Sequence, residues 1–145
     1  DPRVVTMERT NIRYVTPEQL GEPLDLSVVD VSFISLKLVH LPIRALLKPD
    51  CGQVLCLIKP QFEAGKDRVG KKGVVRDPEV HREVLEQFVE TAKALSFTIL
   101  NLTFSPVKGP EGNIEFLGHL SLRPGIDNIP PLEELVSQAH EALKG

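Results

Sequence analysis

The chain has 145 residues, 41% of them apolar and 26% charged, with a net charge of −3. That length supports one domain with a real core, and the composition is that of an ordinary soluble globular protein. It excludes a disulfide framework, a helix spanning a bilayer (no apolar run nears the roughly 20 residues needed) and wholesale coating of nucleic acid.

Asp1-Pro2-Arg3 is neither a signal peptide nor a natural start, so a processed or truncated chain is expected. Cys51 and Cys56 are then expected to be reduced, in a cytosolic setting. His40, His81, His119 and His140 are scattered without zinc-ligand spacing, so no metal site is expected.

In chain order, Val4–Met7 reads as a short strand, and Thr16-Pro17 as the start of a brief helix stopped by Gly21. Leu24–Val29 is a second strand. Ser35 caps a helix through Leu47, with Pro42 inside it as a kink or division. Val54–Ile58, apolar throughout, reads as a parallel strand covered on both faces. Residues 59–76 show no periodicity and read as a long functional loop. Asp77-Pro78 opens a helix to Ala94 or Leu95, with Val80, Val84, Phe88, Ala92 and Leu95 on one face. Thr98–Phe104 is a strand, and Ser105–Gly112 a turn-rich link. Asn113–Leu122 is a last strand, antiparallel to its predecessor because no crossover helix fits between them. Residues 124–131 form a spacer. Leu132, Leu135, Val136, Ala139 and Leu143 then define a short amphipathic helix. The whole is an α/β layered sheet, divided into a main unit over residues 1–125 and a spacer with helix over 126–145.

Three ionisable residues close or open apolar segments: Asp30, Lys59 and Glu115. Open α/β sheets bind ligands at the carboxyl ends of their strands. If the second and third strands are parallel neighbours and the last is antiparallel, all three residues reach one rim. The alternative is that each marks where a strand meets water. A lysine between two carboxylates suits proton transfer and stabilisation of an alkoxide. No Ser/His/Asp arrangement or phosphate-binding glycine loop is evident. Residues 59–77 carry six Lys/Arg against three acids, a charge of +3 on a remainder of −6. That is either a local phosphate contact or a solvated loop.

The segments Asp30–Ser35, Ile58–Gly65, Gly73–Asp77 and Gly109–Phe116 resemble the TlyA (hemolysin A) family of FtsJ-like, S-adenosylmethionine-dependent RNA ribose methyltransferases. The resemblance runs to about Leu122. It implies a Rossmann-like methyltransferase sheet, mostly parallel with a final antiparallel strand. It also implies a catalytic Lys-Asp-Lys-Glu set, whose Asp falls on Asp30, second Lys on Lys59 and Glu on Glu115. Lys59 would assist deprotonation of a ribose 2′-hydroxyl, with Asp30 and Glu115 orienting the groups. Asn11, Asp30 and Phe33 become candidates for cofactor contact, the alternatives for Asn11 and Phe33 being a plain loop residue and simple packing. Lys66, Arg68, Lys71, Lys72 and Arg76 become candidates for RNA phosphates.

The family's first catalytic Lys, glycine-rich cofactor loop, acidic ribose-binding residue and small RNA-binding domain would all precede Asp1. The resemblance therefore implies a sheet lacking its first two strands, either left incomplete or completed by another chain, a homo-oligomer being one way to complete it. The chain alone is expected to bind cofactor weakly or not at all and to be inactive. The implied partner is rRNA or a ribosomal subunit in the cytoplasm. Two other functions stand beside this one: a non-catalytic RNA-binding or assembly module, and the membrane lysis suggested by the hemolysin name. Against lysis, the C-terminal amphipathic helix is short and not basic.

Overall fold

A computed structural model describes residues 26–29, 40–41, 43–47, 52–65 and 68–144. The expected strand Val4–Met7 and helix start at Thr16 lie outside the described residues. The described elements are strand β1 (Leu26–Val29), strand β2 (Gln53–Ile58), a one-turn helix α1 (Pro60–Glu63), a 3₁₀ turn (Lys71–Gly73), helix α2 (Pro78–Ala94), strand β3 (Thr98–Phe104), strand β4 (Phe116–Ser121) and helix α3 (Leu132–Ala142). Residues 40–41 and 43–46 are also helical.

The sheet order is β1-β2-β4-β3. β1 and β2 are parallel, whereas β4 runs antiparallel to both β2 and β3. The last strand is thus antiparallel to its predecessor, as its short connection requires. The expectation of a mostly parallel sheet needs correcting, because two of the three described ladders are antiparallel. The physical reason is placement: β4 does not add at an edge but inserts between β2 and β3, so its reversed direction is counted twice.

The residues of β2 alternate, with Val54, Cys56 and Ile58 buried and Leu55 and Leu57 half-buried. This replaces the expected strand covered equally on both faces. The buried face lies under α2. Gly118, paired with Cys56, faces the Phe88 ring so closely that a Cβ there would sit 2.3 Å from it. Burial pushes the Cys56 thiol up to about 12, so it behaves as a small apolar group.

Helix α2 begins as its sequence demands. The Asp77 carboxylate accepts from the Glu79 amide at 2.9 Å, and Pro78 fills the first turn, where no N–H is needed. Val80, Val84, Phe88 and Ala92 are buried, joined by Leu85, His81 and Thr91. Leu135, Val136 and Ala139 of α3 enter the same core. Residues 124–131 line the outer edge of β3: Asp127 accepts from Ile99 N at 2.8 Å, and Asn128 N donates to Ile99 O at 2.8 Å. These bonds fall where β3 slips register between Ile99 and Asn101, and they occupy backbone groups of an edge strand. Among the described strands the opposite edge is β1, whose Val28 is 68% exposed.

Candidate active site

Ile58 pairs with Phe116 at the last rung of the β2–β4 ladder. One step further, Lys59 leaves β2 and Glu115 enters β4, so the two stand at the same rim. Glu115 precedes the strand instead of lying within it, and its carbonyl accepts from Ser105 N at 2.8 Å at the end of β3. The carboxyl ends of β1, β2 and β3 therefore share the edge that holds Lys59 and Glu115, as expected of a ligand-binding edge.

Lys59 has extended backbone (φ −113°, ψ 100°) and Pro60 starts α1 immediately, which ends the strand. The stretch expected as loop throughout thus opens with a helical turn and later tightens into the 3₁₀ turn. The Lys59 ammonium lies 5.4 Å from the centroid of the exposed Phe62 ring, within cation–π range. Glu115 is only 7% exposed. Its Oε2 accepts from Gln61 Nε2 at 3.0 Å, and Gly109 packs against the same carboxylate so tightly that a Cβ there would lie 2.7 Å from Oε2. Among the described residues, Gln61 Oε1 is a buried side-chain oxygen with no hydrogen-bond partner.

A second polar group secures the loop beside this rim. Asn113 is 1% exposed. Its Oδ1 accepts from Val75 N at 2.9 Å, its Nδ2 donates to Gly73 O at 2.9 Å, and its carbonyl accepts from Gly109 N at 2.9 Å. It ties the 73–75 segment to the Gly109–Phe116 turn. Behind it, the buried His81 contacts Val75 O through Nε2 at 3.0 Å and His140 Nε2 through Nδ1 at 2.8 Å. A carbonyl can only accept, so His81 Nε2 carries the proton and Nδ1 accepts from His140. Burial, then the neighbouring His140, lowers His81 to about 4, against the opposing pull of the Val75 carbonyl and Asp77. Burial and Lys108 also lower His140.

Asp30, Asn11, Phe33 and Lys66 lie outside the described residues. Of the other basic candidates, Arg68 is paired with Glu83 on the surface of α2, and Lys71 belongs to the 3₁₀ turn. Lys72, in left-handed backbone at φ 62°, borders a cavity of about 440 Å³ with Gln61, Phe62 and Asn113. Arg76 borders a different cavity of about 430 Å³, beside Lys108 and Lys144. Of the basic candidates whose side chains are described, Arg68 is engaged at α2, while Lys72 and Arg76 border two cavities that share Glu111. Sequence reasoning missed Gln61 and Asn113, although both lie inside the motifs that carry the resemblance. The His81–His140 contact spans 59 residues of sequence and has no local signal. Among the described residues, no group of three or more His, Cys, Asp or Glu side chains is arranged to hold a metal.

Residues 1–122 match the FtsJ-like methyltransferase family. The chain belongs to that family. Its relatives bear out the TlyA resemblance. It is 46% identical, over 99% of its length and 53% of the relative's, to the Bacillus subtilis protein named "Putative rRNA methyltransferase YqxC". It is 40% identical, over 99% of its length and 52% of the relative's, to the 16S/23S rRNA (cytidine-2′-O)-methyltransferase TlyA of Mycobacterium tuberculosis. A solved structure described as "Putative hemolysin from Streptococcus thermophilus" superposes with a TM-score of 0.83 at 42% identity, over 99% of this chain and 53% of that one. The chain spans about half the length of the curated relatives it matches.

The chemistry of the described rim, an ammonium, a buried carboxylate and an amide, fits a site that positions a hydroxyl beside S-adenosylmethionine. It offers no soft donor or thiol nucleophile to suggest another reaction class.

Proposed function

We propose that this chain forms the catalytic part of an S-adenosylmethionine-dependent rRNA ribose 2′-O-methyltransferase, acting on cytidine as the M. tuberculosis relative's name states of that protein. The observation that carries the reading is the placement of Lys59 and Glu115 at the same rim, one step past the Ile58–Phe116 pair. Asp30, Asn11 and Phe33 are the residues that would hold the cofactor, which when bound supplies an electrophilic methyl group. Attack by a 2′-hydroxyl builds negative charge on its oxygen as the O–H bond weakens and the oxygen–methyl bond forms. Lys59 assists loss of that proton, its positive charge offsetting the alkoxide character before the proton passes to solvent. Glu115 and Asp30 keep the ammonium and the hydroxyl in line. Lys66, Arg68, Lys71, Lys72 and Arg76 contribute phosphate contacts, which position the RNA without reading its sequence.

The sheet is taken to continue beyond β1, which is parallel to its neighbour yet exposes Val28, unlike strands of fully covered parallel sheets. Further strands, from upstream sequence or a second copy, would carry the cofactor loop. The chain alone is then expected to bind cofactor weakly and to be inactive; saturable micromolar binding would sink that expectation. An rRNA substrate sets the site of action in the cytoplasm. Among the described residues no helix is long and apolar enough to cross a membrane, and no observation favours lysis.

The test is methyl transfer to 16S and 23S rRNA by the full-length protein, with the product mapped as a 2′-O-methyl group. Lys59→Ala is expected to lower kcat by at least about 100-fold. Unchanged transfer would remove Lys59 from the mechanism.

A further inference from the structure

We propose that Gln61 is the positioning residue for Glu115, the clamp that fixes its carboxylate at the methyl-transfer rim; this rests on the proposed methyltransferase reading. The geometry is one-way. A carboxylate only accepts, so the amide must turn its Nε2 toward Glu115 Oε2, where the two atoms lie 3.0 Å apart. Turning the amide over would set oxygen against oxygen. Keeping this orientation leaves Oε1 buried and, among the described residues, without a donor. An unpaired buried acceptor costs about 1–3 kcal/mol, and the molecule tolerates it to keep the donor on the carboxylate.

The opposite side of the carboxylate is closed by Gly109, which has no side chain to hold it off. Glu115 is therefore gripped between a donor from α1 and a backbone from the Gly109–Phe116 turn. The placement of Gln61 follows from chain geometry. Lys59 ends β2, Pro60 begins a helical turn, and Gln61 is swung back over the rim, two residues from the lysine it serves alongside. The junction of β2 and α1 thus places the lysine and, two residues on, the amide that holds the carboxylate at the same rim.

The experiment measures steady-state methyl transfer by the full-length protein and two variants. Gln61→Ala is expected to lower kcat about 10- to 100-fold, the loss of one hydrogen bond to a charged group, with KM for RNA and cofactor changed less than about 2-fold. Gln61→Glu removes the donor and sets a second carboxylate beside the first, so it is expected to be at least as slow near pH 8. Two carboxylates sharing a site retain a proton more readily. A protonated side chain at position 61 can donate again, so turnover of Gln61→Glu relative to wild type should climb as pH falls from about 8 to about 6. A merely structural role would lower both variants without that acid recovery. An active wild type whose kcat is unmoved by Gln61→Ala overturns the inference, as does a Gln61→Glu-to-wild-type ratio flat with pH. Absence of transfer by the wild type instead overturns the methyltransferase reading, and the role of Gln61 falls with it.

Discussion

Glu115 and His81 are both buried polar side chains near β4, but their surroundings differ. At the rim, Glu115 is gripped by Gln61, whose other amide atom stays unpaired among the described residues. Under the sheet, His81 has both ring nitrogens occupied, by Val75 O and His140, and its ring meets Phe116 edge-on at 5.8 Å. The chain of contacts runs on through Val75 N to Asn113 and from there to Gly73 and Gly109. The lower network spends its polar capacity on itself and so fixes a loop. The upper one leaves one buried acceptor, Gln61 Oε1, unused among the described residues.

The sharpest way to separate the two is to damage the floor alone, the floor being the packed layer of α2 under the sheet that holds Phe88 and His81. Gly118→Ala drives a methyl group into the Phe88 ring, which is fully buried and cannot retreat. Overpacking of this kind is expected to cost about 3 kcal/mol, or about 10 °C in Tm by thermal unfolding, with kcat per folded molecule retained. An unshifted Tm would show that the floor is looser than the contact implies.

The next effect in size is set by pH. His81 is lowered to about 4 in the fold and titrates near 6.5 when unfolded. Above about 6.5 both states are neutral and this residue adds no slope. As pH falls from 6.5 towards 4, the unfolded chain takes up the proton first and stability drops, by about 3 kcal/mol in all. Urea unfolding across that range should show the loss, and His81→Gln should flatten it. A slope identical in the variant would assign the loss to other groups.

The smallest cost in stability, yet a clear loss in chemistry, is expected at Gly109. Gly109→Ala needs only a shift of the Glu115 carboxylate, so unfolding should change by less than about 1 kcal/mol. The displaced carboxylate should lower kcat at least about 10-fold. Full activity in this variant would mean that Glu115 needs no fixed position, and the distinction between rim and floor would collapse.

Much of this was legible from the residues. Asp77-Pro78 and the Val80–Ala92 stripe define α2 because caps and helical periodicity are local. Lys59 and Glu115 share a rim because one ends an apolar run and the other begins one in the reverse direction. The order of the strands was not legible, since nothing within Phe116–Ser121 records that its neighbours are β2 and β3. Nor were the roles of Gln61 and Asn113, whose amides find partners 54 and 38–40 residues away. A run of cations such as 66–76 carries no record of which members will point together, and Arg68 turns to Glu83 while Arg76 turns elsewhere.

The insertion of β4 also sets a schedule. β2 and β3 share no ladder, and the strand that joins them is synthesised after both. A nascent chain that has emerged only as far as Phe104 has Lys59 but neither the carboxylate nor the backbone that places it. The rim is completed only when the final strand slides between two that precede it, a pairing spanning more than 60 residues at its far end. Such long-range closure is slow compared with local helix formation. The rim is accordingly expected to form later than α2, whose contacts are local.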